Sequence, residues 1–182
     1  MIIDKKKFIS NYKKNIPQVL EKKLIADTET PFSSLLKINK GEKYSFLLES
    51  VEGGSKRGRY SLLGCSPDLI WSVKNGKTSI KYFGHNHNYK ISKDPIKGLR
   101  ELVNLSKIKK NSKYAPHPTL VGYLGYPMIQ YMENIKLNNY DNIKIPEATL
   151  IRPKVVAVFD NIKDIISVIA VSYPSLKFSP EK

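Results

Sequence analysis

The sequence predicts an α+β fold with a mainly antiparallel, sandwich-like β-sheet and about four peripheral helices. About eight strand-like and four helix-like segments occur without the regular strand–helix alternation that marks a parallel sheet. Asn75-Gly76 lies between two segments of alternating polarity, which is a strong signal for a β-hairpin. Gly53-Gly54 follows a strongly apolar segment and predicts a second reversal of the chain.

Two of the predicted helices carry clear start signals. Thr30-Pro31 predicts a helix start because threonine caps a helix and proline suits its first position. Asp94-Pro95 predicts a second start in the same way. The apolar residues after it have helical spacing: Ile96, Leu99, Leu102 and Val103. The other two helices are predicted at residues 4–14 and 128–135.

The predicted strands are short apolar segments bounded by glycine, proline or asparagine. They lie at residues 19–26, 44–51, 59–63, 69–73, 78–82, 89–91, 150–159 and 165–172. An apolar segment with two glycines, residues 119–126, precedes the last predicted helix. A turn is predicted at Asp160-Asn161, between the last two strands.

Length and composition favour one domain over residues 1–182, since 41% of the residues are hydrophobic and can build a core. No segment approaches the roughly 20 apolar residues that span a bilayer, and the amino terminus lacks a secretory signal. Cys65 is the single cysteine, so a reducing, cytoplasmic location is expected. We therefore expect no membrane partner.

The formal net charge of +15 raises the alternative of a basic RNA-binding module. Only four of the 31 basic residues are arginine, the usual carrier of specific base and phosphate contacts. The lysines are spread along the chain instead of forming one basic arm. We therefore expect no nucleic-acid partner, whereas an RNA-binding module would cluster arginine with aromatic residues.

Signatures of catalysis are missing from the sequence. There is neither a P-loop nor a glycine-rich dinucleotide-binding loop. Cys65 has no second cysteine with which to form a zinc site, and we predict neither catalytic residues nor a metal site. His85 and His87 could share one face of a strand, but two solvated loop histidines are the favoured interpretation.

The segment from Ser45 to Ser66 holds the candidate binding site. Glu49 and Ser50 follow an apolar run, and a double-glycine turn leads on to Arg59 and Tyr60. If the two strands pair around that turn, a carboxylate, a hydroxyl, a guanidinium and a phenol meet and could hold a zwitterion. The alternative is an ordinary hairpin whose glutamate and arginine form a weak ion pair.

Several motifs resemble anthranilate synthase component I. The motif Leu47-Leu48-Glu49-Ser50, followed by Gly58-Arg59-Tyr60-Ser61 and Gly64, is similar to the feedback-inhibitor motif of that family. Residues 121–127, with Glu133 downstream, resemble the family's Gly-Tyr-x-x-Tyr-Asp segment, although Pro127 stands where aspartate is usual. Further matches are Thr30-Pro31-Phe32, Pro146-Glu147-Ala148, Arg152-Pro153 and a strand that ends at Asp160.

The resemblance implies a regulatory, amino-terminal part of that enzyme. Tryptophan would bind at Leu48, Glu49, Ser50, Arg59 and Tyr60 and act as feedback inhibitor. The whole enzyme would convert chorismate and an amino donor to anthranilate and pyruvate, with ammonia supplied by a glutamine amidotransferase subunit that this part would help to dock.

The resemblance also implies that the chorismate-binding domain, which would hold magnesium, is absent from these 182 residues. This chain alone is then expected to be inactive and to hold no cofactor. The corresponding part of aminodeoxychorismate synthase is the nearest alternative, and Glu49-Ser50-Val51-Glu52 favours anthranilate synthase over it.

Overall fold

A computed structural model describes residues 4–39, 41, 43–52, 56–83, 89–108, 117, 119–137 and 144–174. Its helices are α1 (Lys5–Lys13), α2 (Pro31–Ile38), α3 (Pro95–Leu105) and a 3-10 helix (Tyr126–Tyr131). Its strands are β1 (Gln18–Ile25), β2 (Phe46–Glu52), β3 (Lys56–Lys74), β4 (Lys77–Tyr82), β5 (Val121–Leu124), β6 (Ala148–Asp160) and β7 (Ile165–Ser172).

The strand pairing confirms the predicted fold class. β1 pairs with β7, β2 with β3, β3 with β4, β5 with β6 and β6 with β7, and each of these pairings is antiparallel. The seven strands belong to one hydrogen-bonded sheet. With four helical segments beside it, the protein is an α+β fold built mainly on antiparallel strands.

The chain divides into two compact units. The first unit comprises Met1–Pro67, Ile108–Pro118 and Pro153–Lys182, and the second comprises Asp68–Lys107 and Thr119–Arg152. β3 and β6 each contribute residues to both units. The expectation of one regulatory domain over residues 1–182 stays a prediction.

The first unit is built on the strand order β1-β7-β6-β3-β2. Because successive side chains of a strand point to opposite faces, each face of this sheet carries its own apolar cluster. One cluster is formed by the buried residues Leu63, Phe159 and Ile166, with Leu35 of α2 packed against it. The other cluster is formed by Val156, Val158 and Ile169.

Helix α2 forms where its start signals predict. Thr30 caps it by accepting a hydrogen bond from the Ser33 backbone N–H, and the Ser33 hydroxyl accepts one from the Thr30 N–H in return. Glu29 accepts a hydrogen bond from Ser33 and pairs with Lys37 of the last turn. These contacts satisfy N–H groups that a helix start would otherwise leave without partners.

The second unit contains the predicted Asn75-Gly76 hairpin. Both residues have positive φ, 51° and 68°, as a two-residue turn with the twist of the flanking strands requires. Trp71, completely buried, is part of the core of this unit, as expected for a packing residue. The core also contains Leu69, Val73, Leu102, Met128 and Ala148.

Three element predictions need correction. The strands predicted at 59–63 and 69–73 are parts of the single 19-residue strand β3, which continues past Pro67 with Ser66 at a φ of 52°. Residues 89–91 form no strand. The helix predicted at 128–135 is a 3-10 helix, Tyr126–Tyr131, with proline in its first turn. Gly53-Gly54 lies outside the described residues.

A buried ion pair anchors the second unit. The Arg152 side chain is 1% exposed and donates to both carboxylate oxygens of Asp68, at 2.8 and 2.6 Å. It also donates to the Leu105 carbonyl oxygen at 3.5 Å. A two-pronged guanidinium–carboxylate contact of this kind fixes the orientation of both groups and satisfies several buried donors.

We expect Arg152→Ala to lower the free energy of unfolding by about 3–5 kcal/mol, because it leaves the Asp68 carboxylate without its buried counter-charge. Urea unfolding followed by circular dichroism measures the change. Arg100→Ala, at an exposed position of α3, is the matched control and should change it by less than about 0.5 kcal/mol. Equal effects of the two substitutions would show that the buried pair contributes no more to the free energy of unfolding than an exposed arginine does.

Candidate inhibitor-binding site

The pairing of β2 with β3 brings the predicted site residues together. Leu48 lies opposite Leu62 and Glu49 lies opposite Ser61. The register then shifts, so that the next pair is Val51 with Arg57. Between these pairs β2 contributes one residue, Ser50, and β3 contributes three, residues 58–60. The predicted site therefore lies at an irregularity in the ladder, where backbone groups lose their regular partners.

Gly58 makes room for the Ser50 side chain. A Cβ atom at residue 58 would overlap both Oγ and Cβ of Ser50. Gly58 is buried, whereas Ser50 is exposed. Glycine at this position lets the Ser50 hydroxyl lie directly over the neighbouring strand, which accounts for the glycine in the Gly58-Arg59-Tyr60-Ser61 motif.

The five predicted residues do not share one face of the sheet. Glu49 shares a face with Ser61, while Leu48 shares the opposite face with Leu62. Tyr60 packs against the cluster of Val156, Val158 and Ile169. Leu48 and Tyr60 therefore lie on the face opposite Glu49, with Ser50 at the register shift. Tryptophan binding at the five residues stays a prediction.

Arg59 pairs with Asp160 and not with the predicted Glu49. Arg59 Nε and Nη2 donate to the two carboxylate oxygens of Asp160, at 3.3 and 3.0 Å. The hydrogen bond from Arg59 holds the pKa of Asp160 below its ordinary value. The Arg59 guanidinium also lies 4.9 Å from the centre of the Tyr60 ring. From the sequence, Asp160 is recognised only as the end of a strand. The contact with Arg59 is not predicted, because the two residues are 101 positions apart.

A cleft of about 430 Å³ lies beside Arg59 in the first unit. Its lining includes the acidic residues Glu29, Asp160 and Asp164 and one arginine, Arg59. Asp160 pairs with Arg59, and Glu29 pairs with Lys37. Gly58 also lines the cleft, whereas Ser50 is not among its lining residues. The other lining residues are Ala26, Thr30, Pro31, Phe159, Asn161 and Ile162.

Glu147, from the Pro146-Glu147-Ala148 motif, accepts hydrogen bonds from two other parts of the second unit. Its carboxylate accepts hydrogen bonds from the Tyr131 hydroxyl at 3.0 Å and from the Gly76 N–H at 3.2 Å. Burial, together with this hydrogen bond, raises the pKa of Tyr131 to about 12. Glu133, the glutamate that the motif comparison had singled out, is exposed. The Glu147 carboxylate thus links the Asn75-Gly76 turn to the 3-10 helix through hydrogen bonds.

Gly122 is needed for packing. A Cβ atom there would overlap the Thr149 carbonyl oxygen of the neighbouring strand β6. Glycine at this position permits the close backbone approach of β5 to β6.

The described residues contain no group of three or more histidine, cysteine, aspartate or glutamate side chains that could hold a metal ion. His85 and His87 lie outside the described residues. Among the helices that the structure describes, each is too short or too polar to cross a membrane.

We expect Gly58→Ala to lower the free energy of unfolding by about 1–3 kcal/mol, because the added methyl group overlaps Ser50. In a Ser50→Gly background the same substitution should cost less, since the overlapping side chain is gone. Urea unfolding of the four proteins of this cycle measures both costs. The same cost in both backgrounds would contradict the close contact between residues 50 and 58.

The Arg59–Asp160 pair also predicts a pH dependence. Because the pKa of Asp160 is lowered in the folded protein, its stabilising contribution is complete above about pH 4 and is lost as pH falls through the folded pKa. The difference in unfolding free energy between wild type and Asp160→Asn should therefore shrink below about pH 4. Asp27→Asn, at an exposed position of the same unit, is the control. A difference that stays constant between about pH 7 and pH 2.5 would exclude the pair as the cause.

Comparison with known proteins identifies related sequences. No family model matches the chain. Anthranilate synthase component 1 of Cereibacter sphaeroides is 37% identical over 172 residues, covering 92% of this chain and 34% of the relative. The Thermus thermophilus protein of the same name is 32% identical over 159 residues, covering 82% of this chain and 31% of the relative.

A solved structure, anthranilate synthase component I from Streptococcus pneumoniae, aligns with a TM-score of 0.44 at 19% identity and covers 87% of this chain and 32% of that protein. The chain thus spans about a third of the length of the curated relatives that it matches. On the sequence identities, the chain belongs to the anthranilate synthase component I family, with its similarity confined to that third.

Proposed function

We propose that this chain is the tryptophan-sensing part of an anthranilate synthase component I. The observation that carries the proposal is the position of Ser50, whose hydroxyl lies over Gly58 at the register shift between β2 and β3. In a regular strand pair, backbone N–H and C=O groups form hydrogen bonds with the neighbouring strand. At the register shift the Ser50 side chain is exposed and can reach a ligand.

The chemistry of this corner suits an amino-acid zwitterion. Glu49 supplies a carboxylate for an ammonium group, and Ser50 supplies a hydroxyl that can donate to a carboxylate or accept from an ammonium. Arg59 supplies a guanidinium, two of whose nitrogens are already bonded to Asp160. Glu49 is therefore the principal charged group that we assign to the ligand, and Arg59 is a secondary one.

An apolar surface for the indole ring is available on the same strand pair. Leu48 is 47% exposed and lies across from Leu62, and Tyr60 lies two residues from Leu62 on β3. Aromatic and aliphatic surfaces of this kind bind large rings through area burial and stacking. We assign Leu48 and Tyr60 to the indole ring on this ground. Because these residues lie on the face opposite Glu49, the ligand would cross the edge of the sheet at β2, where Ser50 lies.

The activity of the whole enzyme follows as a further part of the proposal. A protein that contains this chain would convert chorismate and ammonia to anthranilate and pyruvate in the cytoplasm. The chorismate site and its magnesium ion would belong to the part of the relatives that this chain does not span. A glutamine amidotransferase subunit would supply the ammonia.

The arginine contacts favour this proposal over a basic RNA-binding module. Arg59 and Arg152 are both engaged in internal ion pairs, with Asp160 and Asp68. An RNA-binding surface would instead cluster several arginines without internal ion pairs among exposed aromatic rings. The Glu49-Ser50-Val51-Glu52 stretch favours anthranilate synthase over aminodeoxychorismate synthase. Analysis of the product formed by the whole enzyme distinguishes these two activities.

We expect Ser50 to control inhibition by tryptophan and to leave catalysis unchanged. The test joins this chain to the remainder of the Cereibacter sphaeroides relative and measures anthranilate formation with and without L-tryptophan. Ser50→Ala should raise the inhibition constant roughly tenfold to hundredfold, because it leaves one polar group without a partner at a cost of about 1–3 kcal/mol. Ser50→Phe should abolish inhibition, since it also fills the space over Gly58.

Ser10→Phe, on the exposed face of α1, is the matched control and should leave inhibition unchanged. If Ser50→Phe kept the wild-type inhibition constant, the assignment of the sensor would be wrong. If Ser50→Phe lowered the uninhibited rate as much as the inhibition, Ser50 would be a residue that maintains the fold.

A further inference from the structure

The turn after β6 contacts the irregular part of β3 through Asn161. The Asn161 backbone N–H donates to the Arg59 carbonyl oxygen at 2.8 Å. Its side-chain amide donates to the Gly58 carbonyl oxygen at 2.9 Å and to the Ser61 hydroxyl at 3.4 Å. One residue thus contacts three positions of the segment that faces Ser50 across the register shift.

The hydrogen bonds from Asn161 give the Gly58 and Arg59 carbonyl groups partners outside β2. Three residues of β3, 58–60, stand opposite one residue of β2, so their carbonyl groups cannot all pair with β2. Unpaired backbone groups near a buried position are costly. By donating to the carbonyl groups of residues 58 and 59, Asn161 holds the segment in its irregular conformation.

Asp160 fixes the side chain in the middle of that segment. Its two carboxylate oxygens accept from Arg59, and Oδ1 also accepts from the Ile162 N–H at 3.2 Å. The backbone contact orients the carboxylate, and the carboxylate in turn orients the guanidinium. Asp160 and Asn161 therefore determine both the backbone course of residues 58–61 and the direction of Arg59.

We infer that Asp160 and Asn161 are positioning residues for inhibitor binding, an inference that rests on the function proposed above. They act from the β6–β7 turn, about 100 residues away in sequence, by holding Gly58 where the Ser50 side chain lies over it. Neither residue needs to touch the inhibitor. Tryptophan affinity then depends on a turn that the feedback-inhibitor motif does not include.

The test compares L-tryptophan binding to the 182-residue chain and its variants by titration calorimetry. Asn161→Ala should lower the affinity roughly fivefold to tenfold, the equivalent of one hydrogen bond. Asp160→Asn should lower it in the same direction. Asn161→Ser, which keeps one short donor, should fall between Asn161→Ala and wild type, and it remains available if Asn161→Ala does not fold.

Lys163→Ala is the matched control, because Lys163 is exposed in the same turn. It should change the affinity less than twofold. Each protein is compared at a temperature at which circular dichroism shows it folded, so that a loss of stability alone does not register as a loss of affinity.

A double-variant cycle separates positioning from a merely structural role. If Asn161 acts through Ser50, Asn161→Ala should cost less affinity in a Ser50→Ala background than in wild type. In the ligand-free protein, Asn161→Ala should also move the amide resonance of Ser50, as measured by NMR. A structural role without positioning would leave both readouts unchanged.

The outcomes distinguish this inference from the proposed function. Tryptophan binding by wild type that Asn161→Ala and Asp160→Asn leave unchanged would overturn the inference and leave the proposed function standing. Affinity losses that multiply in the double variant would also overturn it. If wild type bound no tryptophan, the proposed function would fail, and the inference would fall with it.

Discussion

The contact between Ser50 and Gly58 is the constraint on which the candidate site depends. It exists because β2 and β3 shift register after the Glu49–Ser61 pair, so that a serine side chain can lie over a glycine. A larger residue at position 58 would displace the serine. The irregular segment is stable because Asn161 satisfies the carbonyl groups of residues 58 and 59.

The local parts of the fold were predictable from the sequence. Thr30 and Asp94 cap helices α2 and α3, as the capping signals in the sequence predict. The Asn75-Gly76 turn forms as its type requires, with positive φ at both residues. These features depend on contacts within a few residues, and the sequence states such contacts directly.

The long-range parts could not be read in the same way. Gly64 and Pro67 indicated a break in β3, but the strand continues because Ser66 adopts a positive φ and absorbs the irregularity. The pairing of Arg59 with Asp160 joins residues about 100 positions apart, and no periodic pattern marks it. Proximity in sequence suggested Glu49 instead, although Glu49 and Arg59 are separated by the register shift.

Lysine and arginine occupy different environments in the described residues. Lysines dominate the net charge, and several of them, including Lys22, Lys23 and Lys154, are exposed on strands. One arginine, Arg152, is by contrast almost completely buried beside Asp68. The planar guanidinium is suited to such fixed contacts, whereas lysine is suited to a solvated surface.

The most direct measurement is the map of amide ¹H–¹⁵N chemical shifts as L-tryptophan is added to the ¹⁵N-labelled chain, with L-phenylalanine as the comparison ligand. The largest changes should occur at Ser50, at Gly58 and at the neighbouring residues of β3, and they should be specific to tryptophan. Amide resonances from the core of the second unit, such as that of Trp71, should not shift. Unchanged resonances at Ser50 and Gly58, with or without changes elsewhere, would contradict the assignment of this corner as the sensor.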